Sequence, residues 1–273
     1  MRFGPGRSAG GAFALAVVML TGGCGRLGGE PSAGEALRTA ERKLAEVKRG
    51  DMDLGMTATA GEGPTATAPV GFRLAGRFSV DGQQPLPILD LTYIRLLGDG
   101  EQTSAVRSNG QDAQVSSGGV TTRVPERMEA DLRGGTRGGM VRLAFTSWVV
   151  DPRLEDGQLV DGVSTRRITG AVDVARLLSD MAATDVRMGG ESAPLVLDEA
   201  ARQRINSRAR RTSATVLVGK EDGIPRQVEA RAELAGDVPP ELRAALGRVG
   251  NVSLEVTFGL RRPGQPVESP TLQ

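Results

Sequence analysis

Residues 213–234 decide the fold. The return segment reads Gln227-Val228-Glu229-Ala230-Arg231-Ala232-Glu233-Leu234. Val228, Ala230, Ala232 and Leu234 alternate strictly with Gln227, Glu229, Arg231 and Glu233. A period of two puts one set on a buried face and the other in water, which is a half-buried β-strand. The outgoing segment 213–219 is joined to it by Lys220-Glu221-Asp222-Gly223. Strands joined by so short a turn pair antiparallel.

The same pattern recurs outward from this hairpin. Strands are predicted over 51–58, 72–81, 88–97, 103–109, 112–117, 119–124, 141–150, 163–172 and 252–260. Asn109-Gly110 and Gly118-Gly119 are turn pairs. Gly63 and Pro64 lie in the turn after the first strand, and Asp151-Pro152 is expected to break the strand over 141–150. Helical spacing appears between these runs. Ser32 and Glu35 have capping-box spacing ahead of the stripe Leu37, Ala40, Leu44 and Val47, with Gly50 placed to end the helix. Further helices are expected at 126–133, from Val174 to about Ala183 after Asp173, at 198–210 after Asp198, and at 239–247. The tail from Arg262 is Pro-rich and expected to be loose.

About ten antiparallel strands with few helices make an α+β domain, one large curved sheet with helices on its concave side. The inner face of such a sheet either fills with its own side chains or leaves a cavity. The candidates for that greasy face are Met52, Met56, Phe72, Leu74, Phe78, Leu143, Phe145, Val228, Leu234, Val256 and Phe258.

The N-terminus has a different grammar. Residues 1–23 contain Arg2 and Arg7 and no acid, and Ala12–Leu20 is an unbroken apolar run. Nine residues suit a signal-peptide core and fall well short of the roughly 20 that span a bilayer. Cys24, the single cysteine, follows Leu20-Thr21-Gly22-Gly23. A thiol behind small residues at the end of an exported apolar run is the substrate of bacterial lipoprotein acylation. Residues 1–23 are read as a lipoprotein signal peptide, 24–31 as a lipidated linker, 32–262 as the folded domain and 263–273 as a flexible tail. Two or three acyl chains on Cys24 would hold the chain firmly to the outer face of the cell membrane. With no second cysteine the exported fold has no disulfide.

Composition narrows the function. Histidine is absent, and with the one cysteine acylated there is no Ser-His or Cys-His pair and no His-based zinc site. Without Arg2 and Arg7 the chain carries 32 basic and 33 acidic residues, so no long-range field draws nucleic acid. Only Lys43, Lys48 and Lys220 are lysine. Asp151, Glu155, Asp156 and Asp161 lack the spacing of a calcium loop and read as a solvated turn. Arg202, Arg204, Arg208, Arg210 and Arg211 concentrate positive charge on and after one helix; a lipid headgroup or anionic membrane surface could use it, but a solvated helix face is the expectation. Catalysis, cofactors and metals are not expected.

The segment Val160-Asp161-Gly162-Val163-Ser164-Thr165-Arg166-Arg167-Ile168-Thr169-Gly170-Ala171-Val172-Asp173 resembles a strand-to-helix motif of the LppX/LprAFG family of actinobacterial lipoproteins. The order of lipobox, helix, strands, motif, helices, hairpin and final strand is also similar. The resemblance implies a half-barrel sheet like that of LolA and LolB, with helices over its concave face. It further implies a lipid or glycolipid held by its acyl chains, movement of that lipid within the cell envelope, and an envelope transporter as a candidate partner. It implies no catalytic residues. The alternative left by the residues themselves is a non-catalytic interaction lipoprotein with a filled core.

Overall fold

The structure, a computed structural model, describes residues 30–61, 67–80, 82–135, 143–187, 195–237, 239–243 and 250–272. Cys24 and the apolar run before it, Gly63, Pro64, most of the run Gly134–Gly139 and most of the helix expected at 239–247 lie outside these residues.

Helix α1 (Ala33–Glu46) begins at the expected capping box. Glu35 N donates to Ser32 Oγ at 3.3 Å and Ser32 N to Glu35 Oε2 at 2.9 Å. It ends at Val47, earlier than the expected stop at Gly50, which already belongs to the first strand. Strands β1 (Arg49–Ala60), β2 (Val70–Ser79), β3 (Ile88–Leu97), β4 (Glu101–Asn109), β5 (Ala113–Ser117) and β6 (Val120–Arg123) follow as a meander. Asn109 Oδ1 accepts from the amides of Gln111 and Asp112, both at 2.9 Å, which turns β4 into β5. Helix α2 (Glu126–Gly135) covers a small separate cluster of Leu86, Ala113 and Val124 with Met128 and Leu132.

The strand expected at 141–150 is not formed. Leu143 lies in an irregular segment, Phe145–Trp148 is a short helix, α3, and β7 (Val149–Val160) starts only where the strand was expected to end. The expected break at Asp151-Pro152 is absorbed instead, by a left-handed Asp151 (φ 50°) and a register shift between Val150 and Arg153. β7 is an edge strand, so the amide hydrogen that proline lacks need not be missed by the ladder. The acidic residues 151–161 are therefore strand and hairpin residues rather than a loop. Strand β8 (Val163–Val172) leads into α4 (Val174–Arg187), then α5 (Glu199–Arg208), β9 (Ala209–Gly219), β10 (Pro225–Asp237), a 3-10 turn at Pro240–Leu242 and β11 (Gly250–Arg261).

All eleven strands form one open, curved antiparallel sheet with order β6-β5-β4-β3-β2-β1-β11-β10-β9-β8-β7. It is two meanders, β1–β6 and β7–β11, joined where the first strand pairs with the last. Asp51 to Ala60 lie opposite Arg261 to Val252. The fold class is α+β as the alternation predicts.

Candidate functional site

The register sets one continuous apolar row across the sheet. Tyr93 faces Leu74, Leu74 faces Leu54, Leu54 faces Phe258, Phe258 faces Val228, Val228 faces Val216, and Val216 faces Ile168. A neighbouring row runs from Phe72 through Met56, Val256 and Ala230 to Ala214. Each follows from strict period-two placement in its own strand; the register brings them onto one face.

Nine sequence candidates, Met52, Met56, Phe72, Leu74, Phe78, Val228, Leu234, Val256 and Phe258, therefore share this face. Leu143 and Phe145 do not lie on it; both are buried among the segments packed against it. All eleven are buried except Met56, which is half-buried. Protein covers the face in this structure.

The covering layer is tied to itself by polar bonds. Glu41 of α1 accepts from Thr146 Oγ1 of α3 at 2.7 Å. Trp148 Nε1 of α3 donates to Asp180 Oδ2 of α4 at 2.7 Å. Asp173, the last residue of the Val160–Asp173 motif, accepts from Asn206 Nδ2 of α5 at 3.0 Å, and Asn206 Oδ1 accepts from Ala175 N at 3.1 Å. Against the sheet the layer presents mainly apolar side chains, among them Leu37, Ala40, Leu177, Met181 and Ile205. Phe145 meets Trp148 edge-on at 5.8 Å.

Beside the buried hydroxyl of Ser108 opposite Leu89, two ionisable features interrupt the face, and neither was among the sequence candidates. The Tyr93 ring stacks on Phe72 at 6.1 Å between centroids, its hydroxyl donates to Asp185 of α4, and both Tyr93 and Asp185 are buried. Burial, then the bond to Asp185, raises the Tyr93 phenol above its ordinary value. Both positions had a legible signal: Tyr93 shares the parity of Leu89 and Leu91, and Asp185 extends the α4 stripe of Val174, Leu178 and Met181. The second feature is Arg226, buried to 6 % exposure on the same parity as Val228.

On the outward face the charges pair across strands. Arg77, Asp90 and Arg107 stand opposite one another on β2, β3 and β4. The Arg77 guanidinium at 2.9 Å, with Arg107 at 3.3 Å, holds the Asp90 carboxyl below the usual carboxylate range. Asp156 pairs with Lys220 at 2.5 Å. Two arginines at the exit of α5 are engaged too: Arg208 with the Asp237 carbonyl, Arg211 with Glu233 at 3.3 Å. A cleft of about 320 Å³ opens on this side, lined by Thr57, Thr59, Ser213, Arg231 and Glu255 among others. Its polar lining does not suit hydrocarbon. Among the described residues no helix is long and apolar enough to cross a membrane.

No known protein family and no curated protein matches this chain. Solved structures similar to it include LprF from Mycobacterium bovis, at 14% identity over 89% of this chain and 99% of that one, with a TM-score of 0.43. The lipoprotein LppX of Mycobacterium tuberculosis is 15% identical over 89% of this chain and 100% of its own, with a TM-score of 0.39. A LolA superfamily protein of Nitrosomonas europaea is 11% identical over 86% and 96%, with a TM-score of 0.22.

Proposed function

We propose that this protein is a lipoprotein, anchored through Cys24 to the outer face of a cell membrane, that binds the acyl chains of a lipid or glycolipid and carries them within the cell envelope. The observation that carries this reading is the unbroken apolar row from Leu74 to Ile168, facing a helical layer that is bonded to itself. Apolar contact is non-directional, so acyl chains can take the place of helix side chains against the sheet at little cost in geometry. Each methylene withdrawn from water gains about 0.8 kcal/mol, which is what makes an unassisted lipid slow to leave a bilayer and a greasy sheet an adequate substitute. The Tyr93–Asp185 bond is a directional tie between α4 and the β1–β6 half, and its loss would accompany opening. Met52 and Met56 give that half an adaptable surface. The cargo is then handed to an envelope transporter.

Native mass spectrometry of the protein purified in mild detergent tests the reading. Co-purifying lipid, and a shift of Trp148 emission when lipid is added, are the expected results; Trp148 is the only tryptophan and sits in the covering layer. A clean apo mass with no gain on adding lipid refutes it. Cys24→Ser should release the protein from the membrane fraction, and retention there refutes the anchor. The second reading, an anchored interaction module without cargo, is favoured by one observation, the near-complete burial of the inward row.

A further inference from the structure

The inward row of β10 reads Arg226, Val228, Ala230, Ala232, Leu234: one cation followed by four apolar side chains, all buried. Arg226 is the extra residue of a bulge, since Pro225 lies opposite Val218 and Gln227 opposite the adjacent Leu217. The bulge puts a guanidinium at 6 % exposure where an apolar side chain would continue the row.

Its satisfaction is incomplete. Nη2 donates to Asp222 in the β9–β10 turn, whereas Nε and Nη1 are buried with no hydrogen-bond acceptor. Guanidinium carries five N–H donors, and buried charged donors are rarely left without partners in native proteins. The neighbouring cations offer no competition: Lys220 of the same turn is paired with Asp156, and Lys43 of α1, which lies against Gly223, is paired with Glu46.

We propose that Arg226 is an oxyanion site, and that it takes the phosphate of an amphiphile whose acyl chains run along the apolar row from Val228 to Leu234. The site supplies the oxyanion chemistry by itself; the assignment of the attached chains rests on the carrier reading above. Val228 is two residues, or about 7 Å, along the strand from Arg226, so a headgroup on the guanidinium places the first methylenes of its chains at the start of the apolar row. Arg–phosphate contacts are among the stronger charge-assisted hydrogen bonds. The turn Lys220–Gly223, resting on Thr39 and Lys43 of α1, covers the site and would have to lift for entry.

The test titrates the full chain in non-ionic detergent with fluorescent phosphatidic acid, with diacylglycerol of the same chains, and with inorganic phosphate. The native protein should bind phosphatidic acid about tenfold tighter than diacylglycerol, and Arg226→Gln should bring the two to equality. Asp222→Asn removes the adjacent negative charge and loosens its hold on Nη2, so it should strengthen phosphatidic acid binding several-fold. That opposite sign keeps the proposal testable if Arg226→Gln fails to fold. Equal affinity for both lipids in the native protein and in both variants overturns the headgroup site and leaves the carrier reading standing. If neither lipid binds but inorganic phosphate raises the Tm of the native protein and not of Arg226→Gln, the oxyanion site holds and the carrier reading falls. Failure to bind any of the three overturns both.

Discussion

Replacing Gly76 by alanine should be among the most damaging single-methyl additions this sheet can receive. Gly76 sits in β2 opposite Met52 and Leu91 with φ +145°, a conformation L side chains rarely adopt. A Cβ there would lie 2.1 Å from the Asp90 carbonyl oxygen and 2.9 Å from Leu91 Cα. Both are backbone atoms of β3 and cannot rotate aside. The disfavoured dihedral costs about 1–3 kcal/mol, and forcing two paired strands apart costs about 1–3 kcal/mol more. The midpoint, about 4 kcal/mol, lowers the Tm of a domain this size by roughly 8–16 °C. Thermal melts followed by far-ultraviolet circular dichroism measure it against two controls. Gly119→Ala carries the backbone strain (φ +81°) with nothing within 4 Å, and Gly100→Ala meets nothing and has no such strain. The expected order of damage is Gly76, then Gly119, then Gly100. A Gly76→Ala protein no less stable than Gly119→Ala would refute the close approach of β2 to β3.

Tyr93 is the only tyrosine, so tyrosinate absorbance reports it alone. Its folded value is raised, so its contribution to stability is complete below about pH 10 and is lost as pH rises past that value. Native stability should fall in that alkaline window, and Tyr93→Phe should remove this part of the fall. Asp90 has the opposite sign: its folded value is depressed, so its stabilisation is present above about pH 4 and disappears as pH falls further. Asp90→Asn should cost about 1 kcal/mol at neutral pH, measured by urea titration, and nothing once the native carboxyl is protonated. Ser32→Ala should cost about 1 kcal/mol by removing the α1 cap, seen as a Tm lower by roughly 2–4 °C.

The inward parity of β1, β2, β10 and β11 was legible because each strand has one greasy and one wet side, and parity needs no knowledge of neighbours. What escaped depended on neighbours that no single segment reveals. Leu143, Phe145 and Trp148 are spaced two and three apart, which fits a strand and a helical turn equally, and packing against α1 and α4 decided for the helix. Pro152 reads as a breaker until its strand is known to be an edge. Gly71 and Gly76 look like weak points of a strand; only the register shows backbone oxygens of Met56 and Asp90 in the space a side chain would occupy. Tyr93 and Arg226 could be seen to stand on apolar parity, but their partners come from α4 and from a turn beneath α1. The resemblance in Val160–Asp173 pointed to the right architecture, and the structure gives its final aspartate a physical task, clamping α5 to the start of α4.

The seam between β1 and β11 governs how the molecule can be assembled. Arg262 reaches Asp51 at 2.7 Å across 211 positions of chain, so the middle of the sheet closes only when residues from both extremities are present together. Contacts of such long range are slow to nucleate, and a chain that still lacks Gly250–Arg261 has no way to unite its two meanders. Shortening it from that end would leave β1 and β10 as raw borders, each oily on one side and ready to pair with a stranger. The same delay keeps the polypeptide open and pliable until the strand Gly250–Arg261 arrives to close it.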